Sequence, residues 1–414
     1  MAAEENLVVT AGKPWSRGAA LRDPDEEHRA STPLELFFDL CFVVAVSQLT
    51  GRLEHAYATG HIGTGMQGFA MLLFAVWWAW MNFTWFASAH DSDDVPYRLL
   101  TLLQMAGVLI LAAGVDAAFD GQTYRVVVAG YVVMRVALIV QWLRVAAHQP
   151  SVRTRARRYA IGVGVVQLLW IGAAIPDSIT LFKALFLPLM LIEILVPIWA
   201  EQAEAPGLMW HAEHIAERYG LFALIILGES VLAATVAVND ATEGGVTAPV
   251  VTVAGGGLLV AFSCWWLYFD TLGGDGPDSQ TRAFTWGYGH YVVFGALAAV
   301  GGGIATAAAA VAAHGPEHGI PDRTAALAVT VPLAVFLVAV GVISLRPKDP
   351  CGPERLVRWA IAAAALVLAG FVLPPAPATA VAGGVAALLV AVETVAAHRR
   401  YRAQTDTGRI RAAG

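Results

Sequence analysis

The sequence predicts an all-α protein, a polytopic membrane helical bundle of about twelve transmembrane helices set out as two parallel six-helix halves. Three observations carry this. Apolar runs of roughly 20 residues, the length a helix needs to span a bilayer, recur along the whole chain. The chain is 57% hydrophobic and 14% charged, where a soluble chain carries nearer to about 25% charged residues. An aromatic stretch also occurs twice, six spans apart, as "AVWWAWMNF" at 75–83 and "FSCWWLYFD" at 262–270.

The elements follow in order. Residues 1–32 are polar, with acidic residues among scattered arginines, and form an N-terminal segment without the apolar core of a cleavable signal peptide. Six spans are expected at 33–53, 64–86, 97–117, 122–144, 158–175 and 178–199, making a first half of 33–199. Six more are expected at 216–238, 248–272, 284–312, 323–345, 355–373 and 376–397, making a second half of 200–397. The span at 284–312 is overlong and rich in Gly and Ala, so a tilt or break is expected there. Only "LPPAPAT" separates the last two spans, and a basic tail, 398–414, closes the chain.

Orientation follows from Lys and Arg. Arg153, Arg155 and Arg157 fill one connection, Arg346 and Lys348 another, and Arg399, Arg400, Arg402, Arg409 and Arg411 the tail. The N-terminal segment adds Lys13, Arg17, Arg22 and Arg29. Twelve spans put all four regions on the cytoplasmic side, with both termini. Loop 239–247, on the other side, carries Asp240 and Glu243 but no Lys or Arg. The repeat fits this register: Trp77 and Trp78 match Trp265 and Trp266, Asn82 matches Asp270, and an Asp-bearing loop follows each copy.

Several features exclude function classes. A formal net charge of −6 argues against nucleic acid as a partner. Cys41 and Cys264 fall in apolar runs and read as small buried residues, and Cys351 has no C-x-x-C companion. "HAEHIAER" spaces His211, His214 and Glu217 unlike a zinc hydrolase, "DSDD" at 91–94 lacks calcium-loop spacing, and no P-loop occurs. No metal and no cofactor is therefore expected. The clusters "AGGGLL" and "VGGGIA" lie within spans and read as helix-packing surfaces. The expected partners are the lipid bilayer and a small molecule or ion that the sequence does not name. Oligomeric state is left open.

The polar residues inside the spans point to a site. In "ERYGLFALIILGES", Arg218 and Glu229 are eleven residues apart, roughly 20° around a helix and roughly 16 Å along it. A charge at Glu229's depth costs about 2.5–3.5 kcal/mol or more, so the carboxyl must be neutral, hydrated or paired. Arg135, midway through "YVVMRVALIV", is the expected partner. Asp39 and Glu35, one turn apart on one face, are the alternatives. Glu193 sits between Pro188 and Pro197, which free backbone carbonyls and weaken that helix. Asp39, Asn82, Glu193, Asp270 and His290 fall in the cytoplasmic half of their spans. Together they suggest a polar vestibule floored by Arg135 and Glu229. Glu35 and Glu217 lie near the interface, where snorkelling or a helix N-terminus accounts for them. The tryptophans at 77, 78, 80 and 85 read as packing and interfacial anchors.

Two stretches, "TPLELFFDLCFVVAVSQLT" and "ERYGLFALIILGESVLA", with a weaker third through "WWAWMNFTWF", "DSDD" and "RLLTLLQM", resemble the bacterial low temperature requirement A family. Glu35, Asp39, Asn82, Arg98, Glu217, Arg218, Gly228 and Glu229 match its signature positions. Asn82 is followed here by Phe-Thr-Trp, where relatives often show an Arg and then an acid. The resemblance implies a bacterial plasma-membrane protein with a role in growth at low temperature, and it implies no substrate or reaction. From the residues, the expected function is transport, with Glu229 and Asp39 carrying a proton or cation and Arg135 as counter-charge. Two rival readings are a membrane-embedded enzyme acting on a lipid or lipid-linked substrate, and a non-catalytic scaffold or cold-stress factor.

Overall fold

The structure, a computed structural model, describes residues 29–203, 209–244, 247–274, 276–312, 319–346, 349 and 352–413. Lys13, Arg17, Arg22, Lys348 and Cys351, with almost all of the N-terminal segment, lie outside the described residues. Each expected span has its helix. The first half holds α1 (Pro33–Ala58), α2 (Ile62–His90), α3 (Val95–Ala113), the short α4 (Val115–Phe119), α5 (Arg125–His148), α6 (Arg153–Ala174) and α7 (Ile179–Glu201). The second holds α8 (Ala212–Gly244), α9 (Ala248–Leu272), α10 (Gln280–Ala312), α11 (Asp322–Ile343), α12 (Gly352–Val372) and α13 (Pro375–Ala413). Among the described residues, eleven of these helices are long and apolar enough to cross a membrane. The remaining long helix, α6, begins with Arg153, Arg155, Arg157 and Arg158, which lower its hydropathy.

Local chemistry sets the ends. Thr32 caps α1 in a reciprocal box with Glu35, and Pro33 occupies the first turn, where its missing N–H costs nothing. Asp94 caps α3 by accepting from the Tyr97 amide at 2.9 Å, again followed by a proline. Ser178 caps α7. The third span ends earlier than expected. Helix α3 stops at Ala113 because Gly114 turns the chain against α5. A Cβ at Gly114 would lie 2.7 Å from the Val127 amide nitrogen, so only glycine permits this approach. The overlong span, by contrast, stays helical from Gln280 to Ala312.

Helix α10 is the hub, and its glycine run explains how. A Cβ on Gly301 would sit 3.3 Å from Ser230 of α8, and one on Gly302 would sit 3.2 Å from the Thr50 carbonyl of α1. One on Gly303 would strike the Ala328 carbonyl of α11. Three successive glycines thus let three helices approach one backbone, the device membrane proteins use where no hydrophobic drive acts between helices. On α2, Trp77, Trp78 and Trp80 are buried and form the aromatic centre of the bundle. The second copy of that aromatic stretch faces outward instead. Trp265 is 46% exposed and Trp266 44%, against 2% and 1% for Trp77 and Trp78, so the repeated words occupy different environments.

Helices α1 and α8 begin side by side, where the Ser31 amide donates to Glu217 at 3.3 Å. If all twelve long helices cross, the α5–α6 connection and the end of α13 share one face. Reporters fused within residues 149–152 and after residue 413 are expected to read the same compartment, the cytoplasm. Opposite readings would show that one of the intervening long helices does not cross.

Candidate functional site

Of the charged site residues that the sequence places inside the spans, those that pair do so in two clusters, while Glu229 and Asp270 lie outside both. The first cluster joins α1 to α8. Glu35 and Asp39 lie one turn apart on α1, and His214 and Arg218 one turn apart on α8. Asp39 and Arg218 each lie six residues in from the start of their helix, about 9 Å along the axis. The two helices start together, so the pair meets at equal depth. Arg218 grips Asp39 with two donors, Nε to Oδ2 at 3.0 Å and Nη2 to Oδ1 at 2.5 Å. Its Nη1 is 2.9 Å from Glu35 Oε1. His214 Nε2 approaches the same Glu35 oxygen at 3.2 Å, and the Thr32 amide donates to its other oxygen at 2.8 Å. Trp80 Nε1 of α2 donates to Asp39 Oδ1 at 2.7 Å. All four of these charged or titratable side chains are buried. The Tyr97 hydroxyl, buried nearby, has no hydrogen-bond partner among the described residues.

A forked guanidinium against a carboxylate is the strongest form such a pair takes. Removing one member strands the other, which costs about 3–5 kcal/mol in a buried site. The cluster therefore holds α1 and α8 in register, and its second acid and its histidine leave room for a change of charge.

The second cluster lies wholly in the first half. Arg135 Nη2 of α5 is 3.3 Å from Glu193 Oε1 of α7. The Tyr131 hydroxyl bridges them, accepting from Arg135 at 2.6 Å and donating to Glu193 at 2.7 Å. Trp170 Nε1 of α6 donates to the other Glu193 oxygen at 2.9 Å. This corrects the expected Arg135–Glu229 pair. Arg135 and Glu229 are comparably deep, but α5 packs on α3 and α6, whereas α8 packs on α9, α10 and α1. Depth along a helix does not say which helices are neighbours.

Glu229 is half-buried further along the α1–α8 seam, seventeen residues in from Ala212. Ser47 of α1 is its hydrogen-bonding neighbour. Among the described residues no ion pair joins it. The remaining expected residues stand apart. Asn82 donates to the Trp78 carbonyl of its own helix at 2.8 Å. Asp270 is exposed and accepts from Trp266 Nε1 at 2.8 Å. His290 is buried between the Tyr268 hydroxyl at 3.1 Å and the Trp286 carbonyl at 2.7 Å. The expected vestibule floor is also corrected: the cavity that Asn82 lines is bordered by neither Arg135 nor Glu229.

Glu35, expected to snorkel or to serve a helix N-terminus near the interface, is buried and paired with Arg218. Glu217 is exposed at the helix start, as expected. Sequence reasoning missed His214 and Trp80. The signal for His214 was present: His214 and Arg218 have the same one-turn spacing on α8 as Glu35 and Asp39 on α1. No comparable signal marks Trp80, one of several tryptophans on its helix.

Fold and seam together define a multi-pass helical membrane protein whose charge is gathered on arginine–carboxylate clusters within the bundle. Comparison with known proteins agrees and narrows the class. The family model of the bacterial low temperature requirement A protein matches residues 30–392, and the chain belongs to that family. It is also similar to an uncharacterized protein of Rhizobium meliloti (strain 1021), 26% identical over 323 residues that cover 71% of this chain and 75% of the relative.

The two clusters make a direct contrast. In thermal unfolding of the detergent-solubilised protein, a double-mutant cycle of Arg135→Gln with Glu193→Gln is expected to show coupling on the order of 3 kcal/mol. The cycle of Arg135→Gln with Glu229→Gln is expected to show none. The reverse outcome would restore the pairing read from depth alone.

Proposed function

We propose that this protein is a transporter of proton- or cation-coupled type that works at the seam between two six-helix halves, α1–α7 and α8–α13. The neighbour pattern supports such a duplication. In the first half α1 packs on α2 and α3, and α3, α5, α6 and α7 follow as a chain of neighbours. In the second, α8 packs on α9 and α10, and α10, α11, α12 and α13 follow, with the difference that α13 packs most closely on α9, a contact with no comparable counterpart between α7 and α2. Helices α1 and α8 thus hold equivalent places. Beside the Glu35–Arg218 contact, two of their contacts join equivalent positions, Glu35 with His214 at the third residue and Asp39 with Arg218 at the seventh. Contacts between equivalent positions are what a pseudo-two-fold arrangement of two halves produces.

The observation that carries the reading is the division of labour along this seam. Arg218, gripped by Asp39 and Glu35, is the fixed counter-charge, the role first expected of Arg135. Glu229, about 16 Å further along α8, has a hydroxyl neighbour but, among the described residues, no counter-charge. A carboxyl so placed is free to take and release a proton or cation, whereas one locked to a guanidinium is not. The basic regions set the orientation, with both termini cytoplasmic.

A membrane-embedded enzyme acting on a lipid or lipid-linked substrate is the second reading. It is favoured by one observation: the Asp39–Arg218 cluster and the cavity lined by Asn82 lie toward the same end of the bundle. An enzyme confined to that end would leave Glu229 idle.

The test uses purified protein in proteoliposomes that enclose a pH-sensitive dye, under an imposed Na⁺ or K⁺ gradient. The wild type is expected to move protons in exchange. Glu229→Gln, which keeps the shape but fixes the neutral form, is expected to abolish that movement while leaving thermal stability nearly unchanged. Proton movement by the Gln variant equal to the wild type, or none by the wild type with either ion, would contradict the proposal.

A further inference from the structure

Apart from the ion clusters, a narrow cavity of about 80 Å³ lies between the two halves, walled by α2, α5, α6, α7 and α10 and by Met209–Trp210. Its walls are flat. The Trp142 and Tyr159 rings stack at 4.2 Å and 3°, and Trp85 and Trp210 meet edge to face at 5.0 Å. Such faces select a planar occupant, and the volume limits it to one small ring.

The charge on the lining is compensated. Arg155 Nε is 3.4 Å from Glu201 Oε2, and the Tyr159 hydroxyl donates to the other Glu201 oxygen at 2.9 Å. A charged ligand would lose its hydration here without meeting an uncompensated opposite charge. An uncharged ring loses little and gains the aromatic walls. Hydrogen-bonding capacity remains for it: Asn82 spends its amide nitrogen on the Trp78 carbonyl, which leaves its side-chain oxygen to accept.

We propose that this cavity binds an uncharged, single-ring organic molecule carrying an amide or hydroxyl donor. Its role as the cargo site rests on the transport reading above. The cavity and the charged seam are joined by one hydrogen bond. Trp85 Nε1, on the cavity wall, donates to the Tyr219 hydroxyl at 2.9 Å, and Tyr219 directly follows Arg218 on α8. An occupant pressing on Trp85 therefore bears on the residue beside the fixed counter-charge.

Three probes with one ring and three charges test this: para-fluorobenzamide, para-fluorobenzoate and para-fluorophenyl-trimethylammonium. Binding is read by fluorine NMR with the full chain in nanodiscs, against empty nanodiscs. The neutral amide is expected to bind saturably and both charged analogues at least about tenfold more weakly. Asn82→Leu and Trp142→Leu are each expected to weaken the amide about tenfold, and the outward-facing Trp265→Leu to leave it unchanged. Glu229→Gln is expected to bind the amide like the wild type, so a failure of coupling and a failure of binding are told apart. No saturable amide binding, a charged analogue binding as tightly, or full binding by Asn82→Leu and Trp142→Leu would overturn the proposal. If either variant fails to fold, the three-charge series on the wild type decides alone.

Discussion

A guanidinium buried among helices cannot be left alone, and this constraint on Arg218 organises the seam around it. Arg stays charged, so the bundle must bring it a carboxylate or water. Asp39 answers with two hydrogen bonds and Glu35 with a third contact. For both acids to reach one arginine, α1 and α8 must run side by side from a common start. That alignment fixes how the first helix of one half meets the first helix of the other. Trp80 then ties α2 to the same oxygen of Asp39, and the glycines of α10 let it close on α1 and α8 from behind.

The Arg135 cluster differs in kind although its chemistry is similar. Every polar atom of Glu193 has a partner, in Arg135, Tyr131 and Trp170, and all of them lie within the first half. Contacts of this sort tie three helices together through one carboxylate, although Arg135 Nε has no hydrogen-bond partner among the described residues. The seam cluster has a second acid and a histidine, with the Tyr97 hydroxyl, which has no hydrogen-bond partner among the described residues, beside it and Glu229 further along. The two clusters thus differ in composition and in the helices they join, and both are buried.

The sequence was legible where the bilayer dictates it. Span length and apolarity follow from the thickness of the membrane, so every expected span has a helix, including α6, whose arginines lower its hydropathy. The faces of single helices were legible too: Glu35 with Asp39, and Arg218 with Glu229, follow from helical periodicity. Partners between helices were not. Arg135 and Glu229 match in depth, but depth is one coordinate and pairing needs the neighbour order as well. The break at Gly114 was hidden for the same reason, since that glycine answers to α5 and not to its own helix. The paired tryptophans at 265–266 repeat the letters of 77–78 but face outward, because the position of each helix in the bundle decides which side is covered.

The central claim is that Asp39 and Arg218 form a direct pair that joins the two halves. The most direct measurement compares thermal unfolding of Asp39→Asn, Arg218→Gln and the double variant in the same detergent. Glu35 also contacts Arg218, so each single variant breaks the Asp39–Arg218 pair and the double variant breaks that same pair only once. The loss in the double variant is therefore expected to be smaller than the sum of the two single losses. A double variant whose loss equals the sum of the two single losses would show that the two residues do not hold each other, and with that the account of the seam would fail.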